Sequence, residues 1–94
     1  MSTGNRSVAR HFGENLRRAR HAADLTHEQL SERTRLHRTE IGLLERGERI
    51  PRIDTALKVA TAVGVGVEEL LAGIAWTSDG AFAVDARKTG ESRR

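Results

Sequence analysis

The chain has 94 residues, a formal net charge of +3 and no cysteine, which suits one small domain and excludes disulfides and thiolate metal sites. It contains no apolar run of about 18 residues and no apolar leader, so we expect a cytoplasmic protein that is neither secreted nor inserted into a membrane. Aliphatic side chains supply most of the apolar content, and only three residues are aromatic. This composition favours packed helices.

The positive charge is concentrated in the first half of the chain. Residues 1–52 contain 11 arginines and 7 acidic residues, whereas residues 53–75 contain 1 lysine and 3 acidic residues. A basic surface attracts polyanions by long-range electrostatics and by counterion release. Charge alone does not identify the ligand, however, so the class of ligand has to be inferred from the sequence motifs.

Hydrophobic spacing predicts a flexible N-terminus over residues 1–7, followed by a first helix that Ser7 can cap. The apolar stripe of this helix is Val8, Phe12, Leu16, Ala19 and Ala23. A second helix begins at Thr26, with Gln29 completing a capping box. A third helix is predicted from about Arg38, ended by Gly47.

The second and third helices are predicted to lock together through one apolar seam. It consists of Leu30, Leu36, Ile41 and Leu44. The opposite face of the third helix is then turned to solvent and carries His37, Arg38, Thr39, Gly42 and Leu43. A helix held in this way has its first turn free to enter a major groove about 12 Å wide.

Two further helices are predicted after a loop that contains Pro51. The fourth runs from about residue 53 to 63, and its buried stripe is expected to be Ile53, Ala56, Leu57, Ala60 and Val63. Gly64 ends it. A short fifth helix follows Gly66 and is expected to be anchored to the core by Leu70 and Leu71.

Beyond Gly73 two apolar stretches flank Asp79 and Gly80, a two-residue hairpin signal. We therefore predict a β segment over residues 74–84 and a disordered, charged tail over residues 85–94. An isolated hairpin is marginal, so strands of two subunits are expected to pair across a two-fold axis. The residues assigned to this dimer contact are Ile74, Trp76, Phe82 and Val84. The alternative is a segment that folds back on its own bundle, where Trp76 covers the core.

Four segments of the chain are similar to those of a known protein family, namely residues 25–31, 41–47, 51–53 and 64–71. Through them residues 12–73 resemble the phage-repressor (Cro- and Xre-like) helix-turn-helix family. The resemblance implies an all-α, five-helix, lambda-repressor-like DNA-binding bundle over residues 8–73. It also implies a sequence-specific transcriptional regulator, such as a repressor, that binds a palindromic operator in double-stranded DNA as a homodimer.

The resemblance also implies roles for individual side chains. Those expected to face base edges are His37, Arg38, Thr39 and Leu43. Those expected near phosphates are His27, Arg46, Arg49 and Arg52. Arg38 is the best candidate for reading sequence, because a guanidinium group can bind guanine through two hydrogen bonds. Arg20 and Glu45 are expected to form a structural ion pair between the first and third helices.

Two positions depart from the family pattern. Arg35 stands in the turn between the second and third helices, where a small residue is usual. We expect a positive φ there, which costs on the order of 1 kcal/mol for a residue with a Cβ. Leu43 stands where a polar base-reading residue is usual, so it can contact only a thymine methyl group or dock elsewhere.

The four histidines are expected to be surface residues, because their spacing does not bring ligands together. No metal, cofactor or catalytic constellation is predicted, and the protein is not expected to be an enzyme. Two alternatives to a simple regulator remain. One is an antitoxin-type repressor whose tail binds a partner protein, and the other is an adaptor of the same fold that does not bind DNA.

Overall fold

A computed structural model describes residues 3–85, with side chains from residue 6 onward. The elements in chain order are α1 (Thr3–Ala22), α2 (His27–Thr34), α3 (Arg38–Glu45), α4 (Ile53–Val63), α5 (Val67–Leu70), β1 (Ile74–Trp76) and β2 (Phe82–Val84). Five helices followed by a short β segment confirm the predicted fold class. Apart from Asp85, the tail predicted to be disordered lies outside the described residues.

The core is aliphatic with one aromatic ring, and every helix contributes to it. Its members are Phe12, Leu16, Leu25, Leu30, Ile41, Leu44, Ala56, Val59, Ala60, Val63 and Leu70. Leu36 of the predicted seam is partly buried against this cluster, while Leu30, Ile41 and Leu44 are fully buried. The seam therefore joins α2 and α3 to the rest of the bundle, which holds α3 in a fixed orientation.

α1 begins at Thr3, four residues earlier than the cap predicted at Ser7. Residues 3–7, expected to be flexible, are helical. Once a helix has nucleated, each added residue gains a hydrogen bond at little further cost, so the helix propagates past the predicted cap. α1 is thus 20 residues long.

The ends of α2 and α3 follow the predicted capping chemistry. Thr26 accepts a hydrogen bond from the Gln29 amide at 3.0 Å, and the Gln29 side chain accepts one from the Thr26 amide at 2.9 Å. At the end of α3, Gly47 has φ +75°, and its amide donates to the Leu44 carbonyl while the Glu48 amide donates to the Leu43 carbonyl. This pair of bonds is the Schellman arrangement that satisfies the last carbonyls of a helix.

The buried face of α4 includes Ala56, Ala60 and Val63 as predicted, but it differs from the prediction at two positions. Ile53 is 82% exposed and Leu57 is 50% exposed, although both were expected in the core. The face that packs consists of Thr55, Ala56, Val59, Ala60 and Val63. Two overlapping stripes satisfy the helical repeat in this segment, and the helix is rotated so that Val59 rather than Leu57 points inward. In α5, Leu70 is fully buried, but Leu71 is exposed and does not anchor the helix.

The hairpin forms within one chain, and its loop is longer than predicted. β1 and β2 are antiparallel, with Trp76 opposite Phe82. The loop covers residues 77–81, because Thr77 donates its amide to the Ala81 carbonyl at 2.7 Å and its hydroxyl also contacts Ala81. Local closure satisfies the inner edges of both strands. The strand pairing between two subunits stays a prediction.

His11 lies inside the protein, which corrects the expectation that all four histidines are on the surface. It is one helical turn before the buried Asn15, on a face of α1 turned away from solvent. Asn15 donates to the carbonyls of Leu70 and Ala72 at 2.9 and 3.1 Å and so ties α1 to the end of α5. Within the described residues the Nε2 atom of His11 has no hydrogen-bond partner.

Candidate nucleic-acid interface

The first turn of α3 presents polar side chains to solvent. His37, Arg38 and Thr39 are exposed, whereas Ile41 and Leu44 on the opposite side of the same helix are fully buried. The seam therefore holds the helix by one face and leaves its N-terminal turn free. This is the arrangement that allows side chains to reach base edges in a groove.

His37 is the N-cap of α3, as predicted. Its Nδ1 atom accepts a hydrogen bond from the Thr39 amide at 3.0 Å. In neutral imidazole only one ring nitrogen can accept, so the other carries the proton. The cap thus leaves the Nε2–H of His37 as the group that can donate to an acceptor outside the protein.

Arg38 is held loosely. Its nearest carboxylate belongs to Glu28 of α2, with a nitrogen–oxygen distance of 3.7 Å, and both side chains are largely exposed. Exposed pairs of this kind are weak because solvent screens them and two long side chains must be ordered. The guanidinium group of Arg38 can therefore leave Glu28 for a stronger acceptor.

The remaining part of the exposed face differs from the prediction. Gly42, expected to face solvent, is buried, and Leu43 is half-buried. A Cβ on Gly42 would lie 3.0 Å from the guanidinium of Arg46, so the Arg46 side chain folds over the glycine. Three of the four proposed base-reading side chains are therefore exposed, and Leu43 is only partly so.

The three arginines expected near phosphates are exposed and each is paired with a nearby carboxylate. Arg46 lies 3.2 Å from Glu48, Arg49 lies 2.8 Å from Glu40, and Arg52 lies 3.2 Å from Asp54. The hydrogen bond from Arg52 is the main reason why the pKa of Asp54 is below its usual value. A phosphate that binds here must replace these carboxylates, which exposed ion pairs permit.

His27, the fourth residue expected near phosphates, contacts a carboxylate of the same chain. Its Nε2 atom lies 3.0 Å from a carboxylate oxygen of Glu45. The same carboxylate receives two hydrogen bonds from Arg20, from Nε at 2.7 Å and from a terminal nitrogen at 3.1 Å. The structure thus brings Arg20 and Glu45 together as the sequence predicted, and it adds His27 to the pair.

Glu45 is buried, and this cluster determines its charge state. Burial alone would raise the pKa of Glu45, but the hydrogen bonds and positive charge of Arg20 and His27 outweigh burial and lower it. Arg20 also donates to the Leu25 carbonyl at 2.8 Å. One guanidinium group therefore connects α1, the turn before α2 and the end of α3, which keeps the exposed turn of α3 in place.

Gly13 supports the same contact, although no role was predicted for it. A Cβ at this position would lie 2.3 Å from the Leu44 carbonyl oxygen and 2.6 Å from that of Glu45. Only glycine lets α1 approach the end of α3 this closely. A glycine inside an amphipathic helical pattern was the available signal in the sequence.

Other kinds of site have no support among the described residues. No group of three or more potential metal ligands occurs in residues 3–85. No helix in the same part of the chain is long and apolar enough to cross a membrane.

A short helix that is held in a core by one face and projects a capped polar turn from the other is a reading element for the major groove. The class that this arrangement defines is the DNA-binding helix-turn-helix proteins. A model of the family described as helix-turn-helix domain matches residues 11–72. The chain belongs to this family, and it is an Xre-like DNA-binding transcriptional regulator.

Similar proteins agree with this assignment. The control protein C.SmaI of Serratia marcescens is 43% identical over 60 residues, which are 64% of this chain and 71% of that protein. The crystal structure of the restriction-modification controller protein C.AhdI from Aeromonas hydrophila is 36% identical with a TM-score of 0.66, and the match covers 68% of this chain and 97% of that one. The controller protein C.Esp1396I, solved as a tetramer with its 35 base-pair operator, has a TM-score of 0.62 over 68% of this chain and 88% of its own. Its 22% identity makes this a likeness of fold alone.

Proposed function

We propose that the chain is a transcriptional regulator of the restriction-modification controller type that reads a palindromic operator as a homodimer. We also propose that it acts in the cytoplasm and has no catalytic activity. The observation that carries the proposal is the exposed, capped first turn of α3 on a helix whose other face is fully buried. The identity to two controller proteins, 43% and 36%, supports the narrower assignment.

In this proposal α3 reads bases mainly through Arg38. Its guanidinium exchanges the weak interaction with Glu28 for the O6 and N7 atoms of a guanine. The Nε2–H of His37 donates to a neighbouring base acceptor or phosphate. Thr39 likewise contacts a base or a phosphate. Leu43, which is only half exposed, packs against a thymine methyl group at the edge of the contact.

The phosphate contacts come from the loop after α3 and the start of α4. Arg46, Arg49 and Arg52 leave their carboxylates as the DNA backbone approaches, because a phosphate supplies a charge-assisted acceptor and releases counterions. His27 contributes indirectly, since its ring is bound to Glu45. The carboxylates of Glu48 and Asp54 are exposed and that of Glu40 is partly exposed, so water solvates them at little cost.

A homodimer is proposed because one helix-turn-helix contacts one half-site and two must stand about 34 Å apart. The proposed contact is the hairpin face that carries Trp76, which is 63% exposed, together with Phe82 and Val84, which are also exposed. Ile74 was assigned to the same contact from the sequence. It packs partly against the core of its own chain, so its role is to hold the hairpin in place.

Selection of bound duplexes from a random pool tests the reading role of Arg38. With the wild-type chain we expect a palindromic consensus. Arg38→Ala should relax one base position in each half-site and weaken operator binding by about 1–3 kcal/mol, because alanine cannot form the two hydrogen bonds to guanine. Arg46→Ala is the matched control, and it should weaken all duplexes similarly while leaving the consensus unchanged. An unchanged consensus with Arg38→Ala would show that another residue reads the sequence.

A further inference from the structure

The first two turns of α1 lie outside the match to the helix-turn-helix family. The family match begins at residue 11, whereas α1 begins at Thr3. The additional turns bring two exposed arginines, Arg6 and Arg10, next to the loop that follows α3. We propose that Arg6 and Arg10, together with Arg46 and Arg49, form a second contact with the DNA phosphate backbone, outside the reading helix.

The groove between α1 and this loop has a defined geometry. Its lining is Arg6, Ala9, Arg10, Arg46, Gly47, Glu48, Arg49 and Ile50. Its floor is the contact between Gly47 and α1, where a Cβ on the glycine would lie 2.6 Å from the Cα of Arg10. Because the loop backbone rests directly on the helix, the arginines of the helix and those of the loop are held on opposite walls of one groove.

The charge of the groove is not balanced inside the protein. Arg46 is paired with Glu48, and Arg49 is paired with Glu40. Among the side chains of residues 6–85, no carboxylate oxygen lies within 4.0 Å of Arg6 or Arg10. The groove therefore keeps two positive charges that are available to an anion.

The position of these charges opposes helix stability, which points to a ligand. Arg6 and Arg10 are four residues apart, so they lie on one face of α1 and repel each other. Arg6 also lies near the start of the helix, where the helix dipole favours acidic residues, and the first turn of α1 contains no acidic residue. A bound phosphate removes both penalties.

The groove is continuous with the proposed DNA surface, which identifies the anion. Arg46 and Arg49 belong both to the groove and to the loop proposed to contact phosphates. A DNA strand carries one phosphate for about each 3.4 Å of axis, so a backbone that reaches these two arginines extends into the groove. This inference rests on the proposed function, because it needs the chain to bind duplex DNA.

The test is a salt series with the full chain and the selected operator. Arg6→Ala/Arg10→Ala should make the slope of log affinity against log salt shallower by about 0.9 for each phosphate that is no longer neutralised. Operator and unrelated duplexes should be weakened by the same factor, and the selected consensus should not change. Arg6→Lys/Arg10→Lys keeps the charges and should largely restore the slope, which separates charge from a structural effect on α1.

The matched control is Arg33→Ala/Lys58→Ala, which removes the same charge from α2 and α4. It should leave the slope nearly unchanged. If Arg6→Ala/Arg10→Ala leaves the slope unchanged, or changes it no more than this control does, the second phosphate contact does not exist. A wild-type chain that binds no duplex at any salt concentration would instead overturn the proposed function itself.

Discussion

Arg35 is the residue whose backbone carries the clearest strain in the reading unit. It ends α2 with φ +64° and ψ +20°, the left-handed conformation that its Cβ disfavours. Its amide donates to the Ser31 carbonyl at 2.8 Å, so the tight turn that orients α3 depends on this conformation. The sequence predicted the positive φ, because an arginine stands where the resembling family has a small residue.

Replacing Arg35 by glycine should stabilise the protein. Relief of the left-handed strain is worth about 1 kcal/mol, and the greater freedom of glycine in the unfolded chain offsets part of it. We expect the free energy of unfolding, measured by urea denaturation, to rise by about 0.5 kcal/mol. Arg35→Ala removes the same charge but keeps the Cβ, so it should give no gain. An equal gain from both variants would mean that charge, and not backbone strain, is the cause.

At the scale of whole elements, Arg20 and Glu45 determine how α1 holds the reading helix. Both side chains are buried, and the carboxylate is shared between Arg20 and His27. Removing one partner of a buried pair leaves an uncompensated charge, which costs about 3–5 kcal/mol. We therefore expect Glu45→Ala to lower the free energy of unfolding strongly. Arg20→Ala/Glu45→Ala should cost less than the two single changes together, as a double-mutant cycle would measure.

The pH dependence of stability provides the control for this pair. The folded pKa of Glu45 lies below its ordinary value of 4.5. A lowered pKa stabilises the folded state above the unfolded value, and this contribution is lost as the pH falls through the folded value. The wild-type chain should therefore lose more stability below about pH 4.5 than Arg20→Ala/Glu45→Ala does. Equal acid sensitivity of the two proteins would exclude a stabilising role for the pair.

Local sequence patterns predict some of these elements and not others. α2 and α3 were predictable because each is bounded by capping chemistry within a few residues, at Thr26 and at Gly47. The buried face of α4 was not, since its stripe could pass through Leu57 or Val59 and only packing against α1, α2 and α5 decides between them.

At the site, too, contacts between residues far apart in sequence could not be predicted from local patterns. The exposed turn of α3 and the Arg20–Glu45 pair could be predicted, the latter only through the family resemblance. The hydrogen bond between His27 and Glu45 could not, because 18 residues separate the two. The burial of His11 and the groove formed by Arg10 and the loop also depend on how α1 packs, which no local pattern encodes.

At the scale of the whole molecule, the side chains of residues 6–85 form two exposed apolar faces on which a second copy could pack. One is the hairpin face, formed by Trp76, Phe82 and Val84, and the other, the α4 face, is formed by Ile50, Ile53 and Leu57. Trp76 and Phe82 stack edge to face with ring centroids 4.9 Å apart. They are two of only three aromatic residues in the chain, and aromatic side chains are enriched in protein interfaces. These exposed rings support the hairpin face as the dimer contact.

Trp76→Ser/Phe82→Ser should therefore abolish the dimer. Because the hairpin face is small, the wild-type dimer should dissociate at low concentration, so sedimentation is measured over a range that includes micromolar protein. We expect the hairpin variant to sediment as a folded monomer and to bind the operator at least about tenfold more weakly, since two half-sites are no longer bound together. Ile53→Ser/Leu57→Ser is the matched control on the α4 face and should remain dimeric. The reverse outcome, a dimeric hairpin variant and a monomeric α4 variant, would assign the interface to the α4 face.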